Sequence, residues 1–196
     1  IINGSSTPFY NIEFTGLNGS GGGWKFATSS ATSTNHFLIS SGIATSTSAY
    51  LYIGGNFLNS GGFIHNSATT TFNGTTTQSI LGLLTGTSTF NNLEFRGATT
   101  TFGANASSTN FRISPNATTT APASGILSIS GNFFNNGSFN SNLSTTTFNG
   151  TASQFATGTL VTKFDSAANQ LLNTGFYNVE ITNNSATTTF AAAAST

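Results

Sequence analysis

IGGNFLNSGGFIHNSATTTFNGTTTQ, residues Ile53–Gln78, returns as ISGNFFNNGSFNSNLSTTTFNGTASQ, residues Ile129–Gln154. The offset is constant at 76 residues: Gly55 maps to Gly131, Phe72 to Phe148, Gln78 to Gln154 and, upstream, Phe26 to Phe102. A fixed internal period of this kind marks a stacked architecture with a long surface rather than a single closed pocket.

Outward from this core the repeat continues. FYNIEF at Phe9–Phe14 returns as FNNLEF at Phe90–Phe95 and as FYNVEI at Phe176–Ile181, with offsets of 81 and 86 residues. The larger offsets trace to extra Gly-rich sequence at Asn18–Gly23 and to ten residues gained around Thr162–Asn169. Insertions that leave the flanking pattern intact belong on surface loops. Super-repeats of 76–86 residues therefore start near 9, 90 and 176. IINGSSTPF at the start resembles LLTGTSTF before Phe90, and TTTFAAAAST at the end resembles TTTFGANASST. The expectation is that 1–196 is one β-solenoid segment, excerpted from a longer repeat array.

Composition narrows the class. Thr, Ser and Asn number 36, 27 and 24, while Lys and Arg total 4 and Asp and Glu total 4. Ordinary domains are about a quarter charged. Disordered chains are usually charged and poor in aromatics, whereas 19 Phe can build a core. Good helix formers are sparse, and Thr, Phe, Ile and Tyr suit a pleated, half-buried surface. Gly and Asn recur at turn-like intervals. The chain reads as all-β.

Short alternating stretches mark strands: Asn11–Phe14, Trp24–Phe26, His36–Ile39, Tyr50–Ile53, Phe57, Phe63–Ile64, Thr70–Phe72 and Ser79–Leu81, then Asn92–Phe95, Thr100–Phe102, Phe111–Ile113, Ile126–Ile129, Phe133, Phe139, Thr146–Phe148 and Gln154–Phe155. A sandwich does not repeat its sequence this closely, but a parallel β-helix does, because each coil sets like residues above like. At roughly 20–25 residues per coil and about 4.8 Å per layer, the chain would make about eight to ten coils. The expected interior is a ladder of Phe14, Phe26, Phe57, Phe72, Phe95, Phe102, Phe133, Phe148 and Phe190.

FYNIEF, ISSG, YIGGNFLNSGGF, TTTFNGTTTQSI and FNNLEF, taken together, resemble a repeat of very large bacterial cell-surface proteins, similar to adhesins of the autotransporter and filamentous-haemagglutinin kind. The resemblance implies a right-handed parallel β-helix at the cell surface, in a structural, display or adhesive role.

Chemistry is thinly supplied. Glu13, Glu94 and Glu180 hold the same place in successive units, and read as outward charges paired with Arg96, Arg112 or Lys25. Asp165 is the lone Asp, and the Gly-Gly-x-Gly-x-Asp pattern of calcium-binding solenoids does not occur. His36 and His65 have no counterparts at Asn110 and Ser141, so no metal and no cofactor is expected. Gly54–Gly55 and Gly21–Gly23 lack the strand–loop–helix setting of a phosphate loop. Four basic residues leave no nucleic-acid footprint, and no apolar run approaches a membrane span. An enzyme is not expected.

What remains is surface. Trp24, Tyr10, Tyr50, Tyr52 and Tyr177 are candidates for a sugar-stacking platform. Thr69–Thr71, Thr99–Thr101, Thr118–Thr120, Thr145–Thr147 and Thr187–Thr189 raise an ice-binding alternative, though their spacing is not one per coil. Among nine Asn-x-Ser/Thr sequons, Asn73 and Asn149 are the candidate glycosylation sites. The leading expectation is an extracellular structural protein that self-associates into a filament, sheath or surface layer. The alternative is an adhesin stalk or glycan-binding rod.

Overall fold

The computed structural model describes residues 1–2, 7–16 and 23–158, and beyond them the backbone of the short strands Phe164–Asp165, Gln170–Leu171, Asn178–Ile181 and Thr188–Phe190. Most of both insertions, the side chains of Phe190 and Glu180, and Tyr177 lie outside the described residues.

The chain winds through three faces in turn. β1 (Ile12–Phe14) lies on the first face, β2 (Gly23–Lys25) on the second and β3 (Ser30–Ser33) on the third. β4 (Phe37–Ile39), β5 (Ile43–Thr45) and β6 (Tyr50–Ile53) make the second turn, and β7 (Phe57–Asn59), β8 (Gly62–Ile64) and β9 (Thr69–Phe72) the third. In the fourth turn β10 (Gln78–Gly82) holds the first face, a short 3-10 segment, Gly86–Ser88, opens the second, and β11 (Phe90–Phe95) runs into the third. β12 (Thr99–Phe102) begins the fifth turn, and β13 (Ala106–Ile113) bends across its second and third faces. β14 (Thr118–Thr120), β15 (Ile126–Ile129) and β16 (Phe133–Asn135) form the sixth, and β17 (Ser138–Asn140), β18 (Thr145–Phe148) and β19 (Gln154–Thr157) the seventh.

Every pairing among these strands is parallel, and on the first face Ile12 sits over Phe37, Phe37 over Phe57, and Phe57 over Ile80. The result is a parallel β-solenoid. Its turns number about seven through Thr157, fewer than the eight to ten expected of the whole chain, because the backbone beyond is described only in fragments.

The sequence repeat and the coil are out of step. Phe57 is on the first face of the third turn, and its counterpart Phe133 is on the third face of the sixth. Phe63 passes from the second face to Phe139 on the first, Phe72 from the third to Phe148 on the second, and Glu13 from the first to Glu94 on the third. Each counterpart stands eleven faces further on, which is three and two-thirds turns. One unit therefore both advances along the rod and rotates its chemistry by one face.

That offset sets how the interior Phe residues meet. Phe14, Phe26, Phe57, Phe72, Phe95, Phe102, Phe133 and Phe148 are all buried. Equivalent Phe residues are nevertheless several turns apart, so they do not stack on their own copies. Phe37, Phe63, Phe90, Phe111 and Phe139, also buried, bridge them. Phe37 stacks on Phe57 at 5.5 Å with planes 14° apart, Phe72 on Phe95 at 5.8 Å, and Phe111 on Phe133 at 5.6 Å. Each such ring contributes about 1.5–3 kcal/mol by burial.

Sequence patterning overlooked β3, β5, β14 and the first half of β13. These are built largely from Ser, Ala and Thr, and their inward residues, such as Ala31, Ala44 and Thr119, are small. They lack the alternating large apolar residues that mark the other strands, and ladders on either side hold them in place.

The corner after β9 and β18 is built twice from the same parts. Gln78 is fully buried: its Oε1 accepts from Gly74 N at 2.9 Å, and its Nε2 donates to Ile53 O at 2.9 Å and Gly55 O at 2.6 Å. Gln154 repeats this with Gly150 N, Ile129 O and Gly131 O at 3.0, 2.9 and 2.7 Å. Gly74 and Gly150 are required because a Cβ there would collide with the carbonyls of Gly54 and Ser130 one turn below. Gln78→Leu leaves the Gly74 N–H and the Gly55 carbonyl without these partners inside the rod, and removes one of two bonds to Ile53 O, which keeps that from Asn73 N at 3.1 Å. It is expected to lower stability by about 2–4 kcal/mol in urea unfolding, and Gln154→Leu by a similar amount.

Candidate functional site

Outward residues of the third face align in two columns. Tyr50, Thr69, Asn92 and Asn110 are in register along one, and Tyr52, Thr71, Glu94, Arg112 and Phe134 along the other. Between them runs a groove of about 350 Å³, with Asn132 and Arg96 completing its walls.

Glu94 is the chemical centre. Arg96 Nη2 donates to Glu94 Oε2 at 2.9 Å, Arg112 Nε approaches Oε1 at 3.6 Å, and Ser114 Oγ lies 3.5 Å from Oε1. The Glu94 side chain is only 9% exposed, against 52% and 57% for the two arginines. It points outward, as its place in the repeat implied, but the guanidinium groups cover it. Its hydrogen bond holds the Arg96 guanidinium above its ordinary pKa, with charge attraction to Glu94 adding to the rise and partial burial opposing it. Among side chains described, the charges are Glu13, Lys25, Glu94, Arg96 and Arg112, so three of five meet in this groove. Glu13 lies on the first face, where it accepts from Ser40 Oγ at 2.6 Å. A glycosidase needs two carboxylates within about 5–9.5 Å across one bond. Glu94 is the single carboxylate of the groove, so the arrangement can bind but offers no acid–base pair.

Asparagines set the groove's spine. Asn110 Nδ2 donates to Asn92 Oδ1 at 2.8 Å, Asn132 N to Asn110 Oδ1 at 2.8 Å, and Phe155 N to Asn132 Oδ1 at 2.9 Å. The matching column one face away has His36 where Asn110 stands. There His36 N donates to Asn11 Oδ1 at 3.0 Å, and Asn56 N to His36 Nδ1 at 3.0 Å. His65 Nδ1 accepts separately from Ser67 N at 2.9 Å. Among the described residues no three His, Asp or Glu cluster as metal ligands.

The proposed aromatic platform is divided. Tyr50 and Tyr52 pair at 5.7 Å with planes 13° apart on the third face, while Trp24 lies on the second face against Phe14 at 6.4 Å. Tyr10 precedes β1 and is exposed. The Thr runs are likewise spread over faces. Only Thr99–Thr101 and Thr118–Thr120 stand on adjacent turns of one face, so the Thr-x-Thr rank is two turns deep. Asn73 and Asn149 are both exposed at corresponding corners. Among the described residues no helix is long and apolar enough to cross a membrane.

The groove's membership was not visible in the sequence. Arg112 reaches Glu94 because one turn takes 18 residues there, and Phe134 follows after 22 more; no motif announces either spacing. No protein-family model matches the chain, and neither a curated protein nor a solved structure matches it.

Two substitutions check this geometry. His36→Asn restores the asparagine of the sister column and is expected to leave stability within about 0.5 kcal/mol, whereas His36→Leu, which orphans Asn56 N–H, costs about 1–3 kcal/mol in chemical unfolding. Glu94→Gln is expected to cost no more than about 1 kcal/mol, since both arginines are half exposed, and the loss should fade as salt is raised.

Proposed function

We propose that this chain is a non-enzymatic, structural segment of an extracellular repeat protein, whose rods associate side by side or end to end into a filament, sheath or surface layer. The motif resemblance to bacterial cell-surface β-helices carries the cellular part of this reading. One observation carries the rest: faces of parallel strands that are almost free of charge. Ile43 and Ile64 on the second face and Phe134 and Phe155 on the third are exposed apolar side chains among Ser, Thr and Asn. Charge repulsion, which ordinarily keeps such rods apart, is weak here.

The three-and-two-thirds-turn step adds a geometric reason. Because equivalent outward residues visit each face in turn, no face is reserved for one partner, and lateral contact is open in three directions. Adhesion is the second reading, favoured by the groove on the third face.

Sedimentation velocity across a concentration series, followed by electron cryo-microscopy of the concentrated protein, tests the assembly. The expected result is concentration-dependent association that persists when salt shortens the Debye length from about 10 to 3 Å, and filaments or bundles with an axial repeat of about 4.8 Å. A chain that stays monomeric at its solubility limit, free of glycan, overturns the proposal.

A further inference from the structure

We propose that the groove on the third face binds an anionic oligosaccharide, with an acidic group of the sugar against Arg112 and a sugar ring against Tyr50. The inference does not depend on whether the rods assemble.

Charge comes first. Two guanidinium groups share one carboxylate, which leaves about one positive charge on a face that otherwise carries none among the described residues. Arg96 takes the short contact at 2.9 Å, while Arg112 reaches Glu94 only through Nε at 3.6 Å. The Arg112 side chain is 57% exposed, so its guanidinium is open to a ligand in the groove. A planar guanidinium in this state suits a carboxylate or sulfate in two-point contact. Glu94 fixes both arginines in place before any ligand arrives.

Polar and apolar partners lie where a sugar needs them. Asn132 uses its carbonyl oxygen on Phe155 N, which leaves its amide N–H groups as donors to a ligand hydroxyl. Tyr50, 43% exposed, stands at one end of the groove and Phe134, 37% exposed, at the other. Flat rings beside a few fixed polar groups are the usual make-up of a small-ligand site, and 350 Å³ falls within the usual range of about 300–1,000 Å³.

The dimensions select the ligand class. Tyr50 is in the second turn and Phe134 in the sixth, so the groove runs about 19 Å along the rod. That is the reach of a short chain of sugars rather than of a single one. An extended peptide would need an open strand edge, and the third face in this region offers none, since the central strands pair on both sides. A nucleic acid needs many more cations than two.

The test is a calorimetric and NMR titration of the full 196-residue chain with an oligogalacturonate, a sulfated oligosaccharide and a neutral oligogalactose. Binding of either acidic sugar but not the neutral one is expected. Arg112→Gln should weaken it about tenfold, the worth of one charge-assisted contact, without altering the thermal melt. Tyr50→Ala should weaken it several-fold. A preference between the two acidic sugars identifies the acid group. No binding by either, equal binding of the neutral sugar, or undiminished binding by Arg112→Gln overturns the proposal.

Discussion

Backbone hydrogen bonding along the axis governs everything else in this molecule. Each turn must lie about 4.8 Å above the last, with N–H and C=O groups aimed up and down the rod. Side chains then have no choice but to stand above one another, inside and outside alike. Inward Phe rings are thereby brought against one another, as Phe37 against Phe57. A corner must turn without breaking the ladder, which is the task of Gln78 with Gly74 and of Gln154 with Gly150. Asparagine columns do the same at the rod's edges, each side chain capping the N–H of the turn beyond.

Within that constraint the repeat is free to disagree with the coil, and it does. A unit spanning a whole number of turns would place each Phe above its own copy and each Glu in a straight row. The observed step instead sets Phe57 and Phe133 on different faces, and the interior is filled by residues from different parts of the unit. Glu13 and Glu94 illustrate the outcome at the surface. They are equivalents in sequence, yet one bonds Ser40 on the first face while the other is clasped by Arg96 and Arg112 on the third.

Fold class was legible because repetition and Phe periodicity are long-range signals that survive without knowledge of register. Gln78 recurred in both copies, so its importance could be noticed, but its three buried hydrogen bonds could not be read from recurrence. β3, β5 and β14 escaped notice because their inward residues, Ala31, Ala44 and Thr119, are small or polar, so no large apolar residue alternates along them. The groove escaped for a different reason. Its members, Tyr50, Glu94, Arg112 and Phe134, come from successive turns of unequal length, and only the register brings them together.

The one-face rotation per unit also sets a long wavelength. In an array of such units, a feature carried once per unit would trace a spiral stair up the rod, reappearing on the same side only at every third copy. Three copies make eleven turns, about 53 Å. A neighbouring rod or a flat surface would thus meet any given motif at intervals of roughly that length, however short the unit itself. Duplicating or deleting a single unit would leave the core undisturbed yet swing every downstream motif to a new side, so copy number alone could re-address the molecule's surface.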